Sequence, residues 1–145
     1  MGDISKDINS TFANNRIKAL LNILYTANWI SSYQNEFFKP YGISPQQYNI
    51  LRILKGAGEP INVQLVKDRM IERSPNATRL MDKLCAKNYI ERLACDHDRR
   101  VVKITITKEG NALLDAIPVN LNKELLKNLS EEEAEQLSNL LDKMR

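Results

Sequence analysis

Between Ala77 and Ile106 the spacing of apolar residues changes period once, and that change limits the folds open to this 145-residue chain more than any other feature. Ala77, Leu80, Met81 and Leu84 recur at i, i+3, i+4 and i+7, the spacing of a helix that buries one stripe. Beyond Tyr89 the pattern alternates. Ile90 to Leu93 reads as one short strand, and Val101 to Thr107 as a second in which Val102, Ile104 and Ile106 face one way while Lys103 and Thr105 face the other. The intervening CDHDRR is then the tip of a hairpin that follows a helix directly.

The elements around this pair have clear punctuation. Ile17, Leu20, Leu21, Leu24 and Ala27 predict one long first helix that continues through Trp29 and Phe37 and stops at Pro40 and Gly42. Ser44 offers an N-cap with Pro45 at the first helical position, opening a helix whose Tyr48, Leu51 and Leu54 share a face until Gly56 and Gly58. A third helix from about Asn62 presents Leu65, Val66 and Met70. Ser74 and Pro75 repeat the start signal for the helix that carries the stripe. After the hairpin, Leu113, Leu114, Ile117, Leu121 and Leu125 predict a helix from about Lys108 that runs through Pro118. A capping box from Ser130 to Glu133 opens the last helix, with Leu137, Leu140, Leu141 and Met144.

Three short helices followed by a hairpin make a winged helix-turn-helix, so the expected fold is mainly α with a small β-hairpin wing and long N- and C-terminal helices. One domain over 1–145 is expected, with the winged part at about 44–107 and the terminal helices at about 12–41 and 108–145. One winged part cannot cover the apolar stripes of the terminal helices, which predicts a homodimer. The charge is uneven: Lys67 to Lys103 holds ten basic and six acidic residues, a net of +4 in a chain of net +3, so the rest carries −1. A polyanion would find its site in that stretch.

The polar side of the stripe-bearing helix presents Ser74, Pro75, Asn76, Thr78, Arg79 and Lys83. Arg, Asn and Thr can bond to base edges, and Lys and a helix N-terminus to phosphates, so the expected partner is a double-stranded DNA operator. The same side read as a plain solvated face has even weight until the basic hairpin tip beside it is counted. A winged-helix protein-protein interaction adaptor is the rival reading, since this fold does not guarantee DNA binding. Catalysis is not expected: the single histidine, His97, sits at the hairpin tip, and no Gly-rich phosphate loop or spaced metal motif occurs. Cys95, Asp96 and His97 are consecutive and diverge, so no metal and no cofactor is expected. The polar N-terminus and the lack of a long apolar run predict a cytoplasmic protein with no membrane partner, and two cysteines predict reduced thiols.

The run SPNATRLMDKLCAKNYIER followed by DRRVVKITITKEG resembles the recognition helix and wing of the MarR family of bacterial transcription regulators. Asp98, Arg100, Ile104, Ile106, Thr107 and Gly110 stand at the family's wing positions. GISPQQYNILRIL resembles its second helix, and the terminal helices resemble its dimerisation region. One stretch departs: MIERSP has Ile71 and Glu72 where the family commonly shows Gly and an apolar residue. The resemblance implies a repressor that binds a pseudo-palindromic operator as a homodimer, with Arg100 in the minor groove, Asp98 orienting its guanidinium, and Arg99 and Lys103 beside them. It also implies a small aromatic or anionic effector near the first helix. Tyr25, Trp29 and Tyr33 are the candidates there, although packing is the stronger explanation of an i, i+4 aromatic stripe. Cys85 and Cys95 leave a redox-sensing regulator as a further alternative.

Overall fold

Side chains at the helix starts hold the free backbone N–H groups and set where most elements begin. The structure is a computed structural model and describes residues 2–73, 75–118 and 120–145. A short helix absent from the sequence reading, α1 (Ile4–Asp7), comes first, capped by Asp3, whose carboxylate accepts from Ser5 N. That backbone hydrogen bond, helped by nearby Lys18, holds the Asp3 carboxyl below its ordinary value. Asn14 Oδ1 accepts from Ile17 N at 3.0 Å and starts α2 (Asn15–Phe38). A 3-10 turn over Lys39–Tyr41 ends it, and Gly42 at φ 69 supplies the left-handed residue that reverses the chain.

In α3 (Pro45–Ala57) Ser44 Oγ accepts from Gln47 N at 3.1 Å while Gln47 Oε1 accepts from Ser44 N at 3.0 Å. This reciprocal cap satisfies two N–H groups at once. The buried face of α3 is Gln47, Ile50, Leu51 and Leu54. Tyr48, expected on that face, is half-buried instead and stacks on Phe38 with centroids 4.5 Å apart. Asn62 ends strand β1 (Ile61–Asn62) and caps α4 (Val63–Arg69), its Oδ1 accepting from Leu65 N at 2.7 Å.

The stripe-bearing helix is α5 (Ala77–Ala86), with Asn76 as its N-cap. The start therefore differs from the expected Ser74-Pro75 signal: Pro75 and Asn76 form a turn, and Ser74 lies outside the described residues. Asn88, at φ 62, closes α5 in the left-handed conformation, and Tyr89 N donates to Leu84 O at 3.0 Å. That closure is where the period changes, and β2 (Ile90–Ala94) and β3 (Val102–Ile106) follow. The sheet has three strands in the order β1-β3-β2, all antiparallel, with Ile61 opposite Ile104 and Arg92 opposite Ile104 on the other side. Two-residue β1 is too short to show a period, so sequence spacing could not reveal it.

The core lies among α3, α4, α5 and one face of the sheet: Ile50, Leu51, Leu54, Val66, Met81, Leu84, Ile90 and Ile104 are all fully buried. Each such side chain contributes roughly 1.5–3 kcal/mol of apolar transfer energy. Thr107 links the sheet to α6 (Lys108–Ala116): its hydroxyl donates to Asn88 O at 2.7 Å and accepts from Gly110 N at 3.0 Å. Gly110 must lack a side chain, because a Cβ there would stand 2.2 Å from the Tyr89 carbonyl oxygen.

The long helix expected from Lys108 through Pro118 is in fact broken. It stops at Ala116, and α7 (Leu121–Leu125) begins anew, because proline lacks the N–H and its ring clashes with the preceding turn. The chain divides here into two compact units, Met1–Asp115 and Ala116–Arg145. In the second unit α8 (Glu131–Met144) starts at the Ser130–Glu133 capping box anticipated from the sequence. Hydrogen bonds from its own backbone N–H and from Ser130 hold the Glu132 carboxyl below its ordinary value.

Candidate nucleic-acid interface

The buried stripe of α5 decides what its other side presents. Ala77, Met81 and Leu84 are buried and Leu80 is half-buried, so Thr78, Arg79, Asp82 and Lys83 project outward from the opposite side, with Pro75 and Asn76 exposed at the leading end. Asp82 is committed within the fold: it pairs with Arg92 of β2. That hydrogen bond raises the Arg92 guanidinium further above its already high value. The pair ties α5 to the strand leading into the wing and offsets the negative charge of Asp82 on the outward face. Arg79 and Lys83 have no hydrogen-bond or ion-pair partner among the described residues. They keep their donors available for an outside acceptor.

The turn before α5 is held by groups that the sequence reading did not single out. Asn49 Oδ1, on α3, accepts from Ile71 N at 3.1 Å, and Gln46 Nε2 donates to Glu72 at 2.8 Å. Two side chains of α3 thus clamp the turn at Ile71 and Glu72. Ile71 itself is 90% exposed.

Cys95 N donates to Val101 O at 3.2 Å and closes the wing, leaving Asp96, His97, Asp98, Arg99 and Arg100 exposed at its tip. Among the described residues the Asp98 carboxylate meets the Arg100 backbone and not its guanidinium. Asp98 Oδ1 accepts from the Arg100 backbone N at 2.9 Å, and the Asp98 carbonyl accepts from Val101 N at 3.0 Å. At a separation of two residues a carboxylate reaches the backbone more readily than a long side chain, and the result is a side-chain-closed turn. Asp98 shapes the tip and so fixes where the Arg100 side chain leaves it. Lys103 lies lower on β3, exposed, with Leu93 and Asn62 as its cross-strand neighbours.

The remaining candidates are elsewhere. Tyr25, Trp29 and Tyr33 are all exposed along α2, with the Trp29 and Tyr33 rings 6.3 Å apart. Tyr25 and Trp29, but not Tyr33, border a cavity of about 440 Å³ that α1 helps to close. Cys85 and Cys95 are half-buried free thiols. Among the described residues, no group of three or more His, Cys, Asp or Glu side chains is placed to hold a metal ion, and no helix is long and apolar enough to cross a membrane.

A family model described as MarR family matches residues 43–102, from the turn before α3 to the start of β3. The multiple antibiotic resistance protein MarR of Salmonella typhimurium is 32% identical over 114 residues, covering 76% of this chain and 78% of that protein. This chain belongs to the MarR family. Another member, the regulator MhqR of Bacillus subtilis, is 30% identical over 118 residues, with 79% and 81% of the two chains covered. The crystal structure of a mutant MarR from Escherichia coli complexed with operator DNA superimposes with a TM-score of 0.78 at 27% identity, covering 92% of this chain and 99% of that one. MarR-family membership makes the chain a DNA-binding winged helix-turn-helix transcriptional regulator and not an enzyme.

Proposed function

We propose that the chain is a homodimeric repressor that binds a pseudo-palindromic operator and is released by a small aromatic or anionic effector. The observation carrying the DNA reading is the unpaired outward face of α5, with Thr78, Arg79 and Lys83 exposed while Asp82 is tied to Arg92. A helix of this kind enters the major groove with base-reading side chains on that face. Arg79 reads a base edge, and Pro75, Asn76, Thr78 and Lys83 flank it. The wing tip places Arg100 in the adjacent minor groove, where the negative potential is strongest, and Arg99 and Lys103 meet phosphate. Likeness to a relative seen on operator DNA supports this docking.

The dimer reading rests on apolar surface. Ile17, Leu20, Leu24 and Trp29 of α2 are each 42–53% exposed, and Leu140 and Met144 of α8 are 66% and 60% exposed. A second copy covers both stripes and sets the spacing of the two half-sites. Selection of bound sequences from random DNA tests the function. Recovered sites with two related half-sites about one helical turn apart are the expected result. Recovery of no preferred sequence would leave the adaptor reading in its place.

A further inference from the structure

We propose that Ile71, in the turn between α4 and α5, is a specificity-determining residue whose side chain packs on the C5-methyl of a thymine in the operator. The inference rests on the DNA reading and adds a base contact outside α5 and the wing. Ile71 is the most exposed large apolar side chain among the described residues, although Met70 immediately before it is buried. The turn that carries it is held at two points. Asn49 Oδ1 accepts from the Ile71 backbone N at 3.1 Å, and Gln46 Nε2 donates to the Glu72 carboxylate at 2.8 Å. Two side chains of α3 therefore fix the backbone on which Ile71 stands, and its branched Cβ restricts χ1. An apolar group held outward in advance gives up little freedom when a partner covers it.

The surroundings of Ile71 select the partner. Arg69 and Arg73 stand two residues to either side of it, both exposed, and neither has a side-chain hydrogen bond or ion pair among the described residues. The acid between Ile71 and Arg73 is Glu72, which is bonded to Gln46. A groove of about 370 Å³ brings Lys67 and Arg73 beside Pro75 and Ala77 at the leading end of α5. Asp68, the acid in that groove, accepts from Gln64 Nε2 at 2.9 Å. An apolar side chain flanked by cations, next to the start of a helix with base-reading residues, matches a major groove. Phosphates border that groove, and the thymine methyl is the apolar group that a base edge presents in it. A protein surface would call for further exposed apolar side chains at this point, whereas the exposed residues within two positions of Ile71 are Arg69, Glu72 and Arg73.

Anisotropy titrations on the selected operator, with thymines replaced one at a time by uracil, test the contact. Uracil keeps the hydrogen-bonding groups of the base and lacks only the methyl. The unsubstituted protein binds about fourfold more weakly when one particular thymine in a half-site is replaced, the effect of uncovering one methyl-sized group. Ile71→Ala binds the thymine operator at least about fourfold more weakly and loses the uracil penalty at that position alone, so the two losses are shared rather than multiplied. Ile71→Val keeps most of the penalty. Neither variant shifts the denaturation midpoint, because the side chain is exposed and the Asn49 bond is to the backbone. A uracil penalty of equal size in Ile71→Ala, or no penalty at any thymine of an operator that is still selected, would overturn the contact and leave the DNA reading standing. An Ile71→Ala chain that instead loses its dimer in sedimentation would replace the thymine with a protein surface. Failure of the unsubstituted chain to prefer any sequence would remove the DNA reading and this contact with it.

Discussion

Helices α5 and α2 solve opposite problems with the same apolar periodicity. In ten residues α5 buries Ala77, Met81 and Leu84 completely, whereas in twenty-four residues α2 buries Phe38 alone. A helix whose apolar side is satisfied within its own chain can turn a polar face to a polar partner. A helix whose apolar side is not satisfied needs another apolar surface. The difference lies in what is packed against each: α5 rests on α3 and continues into the sheet through the Asp82–Arg92 pair, and α2 meets α3 near its C-terminal end, where Phe38 stacks on Tyr48. The contrast is the ground on which DNA is proposed for one helix and a second copy of the chain for the other.

The largest effects should come from breaking the satisfied side. Leu84→Ala opens a cavity in a fully buried position and should cost about 2–5 kcal/mol of stability, read from chemical denaturation, with no separate change in dimer affinity once the chain is folded. Leu20→Glu with Leu24→Glu should do the reverse. Both positions are 53% exposed in one chain, so the fold is retained, while the dimer weakens by several kcal/mol on burial of two unpaired carboxylates. Sedimentation at micromolar concentration should show a folded monomer for this double variant and a dimer for the unsubstituted chain. A folded monomer for both would remove the assignment of α2.

Smaller effects sharpen the DNA side. Asp98→Ala should weaken operator binding by about 1 kcal/mol, because the turn that directs Arg100 is lost. Asp98→Asn keeps an acceptor for the Arg100 backbone N–H and removes a negative charge, so its binding should equal or exceed that of the unsubstituted chain. Equal weakening by both would mean that the carboxylate charge itself is used. Smallest of all, Ser44→Ala removes half of a reciprocal cap and should lower stability by about 1 kcal/mol, measured by denaturation, without altering base preference.

Sequence spacing revealed most of the fold because the signals were local. Ser44 with Gln47 and Ser130 with Glu133 are caps that can be read three residues apart, and the change of period at Tyr89 coincides with the left-handed Asn88. What was missed depends on residues distant in sequence or on elements too short to show a period. Strand β1 has two residues, and α1 has four with only Ile4 buried. The wing tip shows a different limit. Asp98 and Arg100 are adjacent enough to suggest a side-chain pair, yet the backbone N–H of Arg100 is the nearer donor. Pro118 misled for the converse reason: the leucine spacing on both sides is continuous, and proline chemistry overrode it. Of the interface, the outward positions of α5 were legible because they are what remains once Ala77, Met81 and Leu84 are buried. The Asn49 clamp on Ile71 joins residues 22 apart, so it has no signal in one dimension.

The central claim is that the outward face of α5 reads bases and does not merely face solvent. Fluorescence anisotropy of Arg79→Ala on the selected operator and on single-base variants of it measures this directly. The expected result is a loss of about 1–3 kcal/mol on the cognate site together with relaxed preference at one position in each half-site, while Lys83→Ala weakens all sequences evenly. An Arg79→Ala protein with unchanged affinity and unchanged base preference would contradict it.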